Sequence, residues 1–374
     1  MLLTAVLFAG VFSGWVAIVQ FYLRHVGLTV LTFMAPLPLV IVGYWLGARF
    51  EGGLTAACAI CTYEFAVVCF LLLFGRTARD VCDGLSPRDA TRKALTSLVR
   101  PLGMTGAAVA LSILVLAGNT SLAGLAVVGS MIVAFAWVVA AAWSAQRFAY
   151  SEKFIADANG ARERRERQIE KFSRIVETRW AFSVSGMAII LATIAAFSAL
   201  TLRVQETGLS IRVVGIALLA FTLFTLGDRN WRLAMAQFLT LAFEVGMGLW
   251  AVAQGGAPPI TGDDLTFMGL TIMISAMPLA VLASVASGYL REGERVDTAL
   301  SRALQLDGPG AALACALSMV LWLAVTLIAG TAQFQTGVAL GSLPATLLIF
   351  PALTTAIYTV LPRYRSFDEV FGKR

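Results

Sequence analysis

Gly53-Leu-Thr-Ala-Ala-Cys-Ala-Ile-Cys-Thr-Tyr-Glu-Phe-Ala-Val-Val-Cys-Phe-Leu-Leu-Leu-Phe74 is the stretch that decides the fold. About 20 apolar residues cross the hydrocarbon core of a bilayer as a helix, and this run is long enough. Glu64 stands near its centre. An ionisable side chain at the midplane costs roughly 2.5–3.5 kcal/mol on insertion scales, so it marks a functional site unless a structural partner explains it. One comparable residue occurs elsewhere, Glu244, also in mid-run.

Working outward, ten further runs meet the same length test. They are Leu2–Leu23, Gly27–Ala48, Pro101–Gly118, Leu122–Phe148, Trp180–Leu202, Ser210–Gly227, Trp231–Gln254, Leu265–Leu290, Gly310–Gly330 and Gly337–Leu361. Of the 374 residues, 59% are hydrophobic and only 13% charged, about half the charged share of a soluble domain. The fold class that follows is an all-α polytopic membrane protein with about 11 transmembrane helices. The organisation is a first transmembrane half over 1–148 with five helices, a linker over 149–179, and a second half over 180–374 with six helices and a short tail.

The net charge of +6 is a matter of topology and not of nucleic-acid binding, because membrane proteins keep Lys and Arg on the cytoplasmic side. With the C-terminus inside, alternation places 25 of the 28 basic residues in the cytoplasm, those of the loop 75–100 among them, and leaves Arg49, Arg203 and Arg212 outside. The expected setting is therefore a bacterial inner membrane, N-terminus outside and C-terminus cytoplasmic. The loop Gly255–Asp264 carries Asp263 and Asp264 and no base, as an external loop should. Within the linker, Ile169, Phe172, Ile175 and Val176 recur at helical spacing among Arg and Glu. That pattern describes a basic amphipathic helix on the inner leaflet, with membrane lipids as its partner.

Several chemistries find no support. Cys58, Cys61, Cys69 and Cys315 lie in apolar runs, and the lone His25 is far from the Cys58-x-x-Cys61 pair; buried filling is the better reading than a metal. No Gly-rich phosphate loop or nucleophile elbow occurs, so neither a cofactor nor an enzyme activity is expected.

Segments 86–131 and 295–343 resemble each other. Lys93-Ala-Leu95 matches Arg302-Ala-Leu304, and Gly124-Leu-Ala-Val-Val-Gly-Ser130 matches Gly337-Val-Ala-Leu-Gly-Ser342. Both copies run from inside to outside, which describes two parallel pseudo-repeats about an axis along the membrane normal.

Three places carry a family resemblance: Arg88-Asp-Ala-Thr-Arg-Lys-Ala-Leu95 leading to Arg100-Pro-Leu-Gly-Met-Thr105; Tyr289-Leu-Arg-Glu-Gly293 with Ala299–Leu304; and Leu347-Leu-Ile-Phe-Pro-Ala-Leu353. Through them the chain resembles the resistance-nodulation-division (RND) superfamily, nearest the MmpL-type exporters of lipids and hydrophobic molecules. The resemblance implies that Gly53–Phe74 is the fourth helix of a half, with Tyr63-Glu64-Phe65 at the place of the family's relay acid. It also implies a relay partner on the Leu265–Leu290 run, where Pro278-Leu-Ala280 supplies no acid. Only Arg203–Leu209 stands where that family has an external domain. A periplasmic or membrane partner protein would then supply what is missing.

The proton-relay candidates are Glu64, Tyr63 and Glu244. Gln237, Thr240 and Glu244 fall on one helix face with Gly248, a polar stripe that should turn into the bundle. The competing expectation is that both glutamates are neutral groups making structural hydrogen bonds. At the level of function, one reading is a reduced, proton-driven transporter for a lipid or other hydrophobic molecule. The other is a transport-inactive scaffold or accessory subunit built on the same core.

Overall fold

The structure, a computed structural model, describes residues 2–23, 26–47, 55–117, 121–146, 230–254, 262–329 and 333–360. The linker 149–179, the runs Trp180–Leu202 and Ser210–Gly227, and the loop residues 255–261 lie outside the described residues. All the regular structure described is helical. The helices are α1 (Leu2–Leu23), α2 (Val26–Met34), α3 (Leu37–Gly47), α4 (Thr55–Cys82), α5 (Pro87–Ala117), α6 (Ser121–Ala145), α7 (Trp231–Gln254), α8 (Gly262–Arg291), α9 (Val296–Ala329), α10 (Gln333–Pro344), a π turn (Ala345–Ile349) and α11 (Phe350–Val360). Six spans among the described residues are long and apolar enough to cross a membrane. Large apolar side chains such as Ile41, Trp45, Ile132, Leu327 and Leu348 point outward, as they do when lipid is the solvent. The chain is a membrane protein.

Two expectations need correction. The Gly27–Ala48 run holds one candidate span, Val26–Trp45, but not as one continuous helix: it is divided into α2 and α3, broken at Ala35 and Pro36. Pro36 and Pro38 have no N–H, so this stretch is short of donors. Side chains supply them: Tyr63 Oη donates to Phe33 O at 3.2 Å and Trp137 Nε1 to Ala35 O at 2.7 Å. The second correction concerns the segment 75–100, expected as a cytoplasmic loop. It is helix almost throughout. α4 (28 residues) and α5 (31 residues) run on past the membrane and meet in a tight turn. By contrast Pro101, Pro278 and Pro309 sit inside continuous helices.

The turns that join α4 to α5 and α8 to α9 are alike. Gly84 (φ 96) and Gly293 (φ 89) occupy the left-handed region, which glycine alone reaches without cost. Leu85 N–H bonds Asp80 O while Gly84 N–H bonds Val81 O; Glu294 N–H bonds Tyr289 O while Gly293 N–H bonds Leu290 O. These are the paired bonds of a Schellman cap. At the first turn Ser86 Oγ then caps α5 by accepting from Asp89 N–H at 3.2 Å.

Packing joins the ends of the chain. One apolar core gathers Val19 of α1, Phe65 to Phe74 of α4, Met277 of α8 and Trp322 of α9. A second gathers Leu233 of α7, Leu279 and Leu282 of α8, Leu300 of α9 and Phe350 of α11. α7 and α10 cross at glycine contacts: a Cβ at Gly337 would lie 2.5 Å from Met247 O, and one at Gly248 would lie 2.7 Å from Phe334.

Candidate functional site

Glu64 is 1% exposed and points from α4 to α9. Trp322 Nε1 donates to Glu64 Oε2 at 2.8 Å, and Ser318 also bears on the carboxyl. The partner is thus on α9, where the family resemblance had implied α8. Cys315, Ser318 and Trp322 are spaced i, i+3 and i+7, so one stripe of α9 carries all three. Trp322 is itself fixed by packing and by its backbone: Thr336 Oγ1 donates to Trp322 O at 2.9 Å, and Thr326 and Thr336 share a hydroxyl contact of 2.6 Å. An indole N–H only donates. Glu64 therefore sits against a fixed donor.

The same stripe reaches the second carboxyl. Gln237, Thr240, Glu244 and Gly248 are all buried, so the polar face of α7 does turn into the bundle. Glu244 faces Ser275 of α8 and Cys315 of α9. Cys315 in turn contacts Thr346 Oγ1 in the π turn at 3.8 Å and bears on Ser342 of α10. The two glutamates thus meet neighbouring turns of one stripe of α9: Glu64 at Ser318 and Trp322, Glu244 at Cys315. Tyr63, read beside Glu64 in the sequence, points elsewhere. Its hydroxyl serves the α2 break at Phe33 O and does not join Glu64 to Trp322.

Sequence reading missed Trp322, Ser318 and the role of Cys315. A signal was present, since Trp322 stands inside the Gly310–Gly330 run, away from the interfacial positions where tryptophan is common. A buried indole N–H needs an acceptor.

A charged cluster lies where the C-terminal part of α4 meets the N-terminal half of α9. Arg79 NH1 donates to Leu306 O at 2.7 Å and to Asp307 Oδ1 at 3.2 Å, and Arg76 NH1 lies 3.8 Å from Asp307 Oδ2. Lys93 Nζ and Arg79 Nε approach Asp80 Oδ1 at 3.4 and 3.8 Å. Asp80 is 2% and Asp307 7% exposed. Between this cluster and Glu64, the Tyr22 hydroxyl of α1 enters where Gly75 of α4 and Gly310 of α9 leave room; a Cβ at Gly310 would come within 2.6 Å of it. Glu64–Trp322 and Arg79–Asp307 are therefore two polar ties between the same pair of helices.

No protein-family model matches the chain, and no curated protein sequence does. Among solved structures the chain is similar to SecDF of Thermus thermophilus, a translocon-associated membrane protein, with a TM-score of 0.59 at 12% identity. The alignment covers 93% of this chain and 61% of that one, so the chain spans under two thirds of its length. At that identity the likeness concerns the fold alone.

Proposed function

We propose that the chain is the membrane core of a proton-coupled transporter in the bacterial inner membrane, with Glu64 as the group that takes up and releases the proton. The observation that carries this reading is the buried Glu64–Trp322 pair, which links α4 of the first half to α9 of the second. Burial away from water supports the neutral acid, while a fixed N–H at 2.8 Å supports the anion. A group held between those influences can exist in either form. Each change of form alters the contact between the two halves, and rocking of one half against the other is how such cores alternate access. Two parallel repeats, eleven helices and a cytoplasmic C-terminus belong to this proposal. The cargo proposed is a lipid or other hydrophobic molecule, with a separate polypeptide providing the external domains.

The scaffold reading has its own support. Aligning Gly84 with Gly293 places Met273 where the first half has Glu64, so the second half offers no acid at that position of α8. SecDF is itself translocon-associated, and an accessory subunit of a membrane complex is the corresponding role here.

Glu64→Gln separates the two, because Gln keeps the size and hydrogen-bonding capacity but cannot titrate. In reconstituted protein, infrared difference spectra between acid and alkaline buffer should contain a carboxylic-acid component that this variant loses while its fold and membrane level stay normal. If the spectra are unchanged, and only Glu64→Ala disturbs the protein, Glu64 is structural and the scaffold reading replaces transport.

A further inference from the structure

Glu244 has surroundings opposite to those of Glu64. It is 0% exposed, and neither Oε1 nor Oε2 has a hydrogen-bond partner in the protein. Among the described residues no Lys or Arg forms an ion pair with it. The groups facing it from the packed helices are Ser275 of α8 and Cys315 of α9, the latter being the titratable one. Ser342 and Thr346 stand behind Cys315.

The hydroxyl protons there are already committed. Thr240 Oγ1 donates to Ala236 O at 2.7 Å, Ser275 Oγ to Ile272 O at 3.0 Å, and Ser342 Oγ to Ala339 O at 2.8 Å. Of these, Ser275 bears on Glu244, and with its proton on Ile272 O it has a lone pair to turn toward the carboxyl. The π turn adds to this. Phe350 N–H bonds Ala345 O, and Pro351 has no N–H. The helix therefore offers the Thr346 carbonyl no donor at either the i+4 or the i+5 position. A fully buried carboxyl among acceptors, beside a helix turn whose backbone carbonyl is released, has the composition of a cation site. Interrupted helices in transporters hold small cations in this way.

From this arrangement we infer that Glu244, Ser275 and Thr346 form a site for one dehydrated alkali-metal cation within the second half. The single carboxylate sets the charge. A monovalent ion is neutralised by it, whereas a divalent ion would leave a net charge in a low-dielectric interior. Ca²⁺ also draws on more oxygen ligands, often several carboxylates. This site is separate from Glu64 and does not depend on the transport reading.

The test uses the full chain purified into lipid nanodiscs in choline buffer at alkaline pH. Radioactive sodium is titrated in equilibrium dialysis, with K⁺ and Li⁺ as competitors and choline as the control. Saturable binding of about one alkali ion per chain is expected, together with a melting temperature that rises with ion concentration. Acid should weaken the binding, because a proton competes for the same carboxylate. Glu244→Gln should abolish both effects, and Glu64→Gln should leave them in place. Thr346→Val and Ser275→Ala, which remove one hydroxyl each and leave the carboxyl in place, should each weaken binding by about tenfold or more, the equivalent of ~1.4 kcal/mol. They carry the test if Glu244→Gln fails to assemble. The inference is overturned if no alkali ion binds saturably. It is equally overturned if binding survives Glu244→Gln or is indifferent to both hydroxyl variants, or if Glu244 only exchanges a proton and stability is the same in every salt.

Discussion

A double-mutant cycle on Glu64 and Trp322 measures the bond that the transport reading rests on. Trp322→Phe removes the indole N–H, and Glu64→Met removes the acceptor with little change of length. Each single change also disturbs packing around fully buried side chains, and those terms cancel in the cycle. What survives is the coupling across the 2.8 Å contact. A buried hydrogen bond between neutral partners contributes about 0.5–1.5 kcal/mol, and one to a charged group about 1.5–3 kcal/mol. The coupling therefore reports the charge of Glu64. It should fall in the upper range in alkaline buffer, where the carboxyl is ionised, and in the lower range in acid, where it is neutral. Thermal or denaturant unfolding in a fixed lipid environment reads the four stabilities. Additivity within ~0.3–0.5 kcal/mol at every pH would mean that the contact carries no energy, and the argument from Glu64 to proton coupling would fail with it. A sizeable coupling that ignores pH would keep the bond and remove the titration.

Four other outcomes are expected. Asp307→Asn should destabilise in an unfolding assay, by less than the ~3–5 kcal/mol of a fully buried pair, because it leaves the partly buried Arg79 and Arg76 without their anion. Gly337→Val should cost at least the ~1–3 kcal/mol of an overpacked core, since the obstacle 2.5 Å from its Cβ is the Met247 backbone oxygen; a neutral result would show that α7 and α10 are less tightly apposed. Gly310→Ala should lower the melting temperature, and Tyr22→Phe on the same chain should restore part of it, because the clashing atom is the tyrosine hydroxyl. Cysteines placed in 161–170 should resist an impermeant label applied outside intact cells, and labelling there would reverse the proposed orientation.

The helical membrane core was legible because bilayer burial writes a long, simple signal. α1 has the bounds of its apolar run, and α7 those of the Trp231–Gln254 run. Where reading by hydropathy erred, the cause was local chemistry that hydropathy averages away. The Pro36 and Pro38 pair ended a helix that Pro101, Pro278 and Pro309 did not end in theirs. Tyr63 and Trp137 reach the carbonyls at the first break from distant parts of the chain, so the sequence near a proline does not say whether its loss can be made good. The segment 75–100 looked like a loop because it is charged. Yet Arg79, Asp80 and Lys93 pair with one another and with Asp307, and a charged helix beyond the membrane needs no apolar run.

The two glutamates show where the limit lies for the site. Hydropathy singled out both for the same reason, an acid in mid-run, and made them alike. Their difference depends on what faces them. Glu64 meets an N–H that cannot accept, whereas Glu244 meets Ser275, whose hydroxyl donates to Ile272 O of its own helix, and Cys315, whose thiol donates to Thr346 Oγ1. Donor or acceptor character at a buried carboxyl is set by residues on other helices, here Trp322 at a separation of 258 positions, and by hydroxyl rotors that the helix backbone captures. It cannot be read along the helix that carries the acid. The same residue type at similar depth is thus assigned to a proton in one half and to a metal cation in the other. Exchanging the environments is the sharper way to test that logic. Cys315→Trp would bring an indole N–H toward Glu244, and a bundle that accepts it should lose the ion dependence of its stability while keeping Glu244 intact.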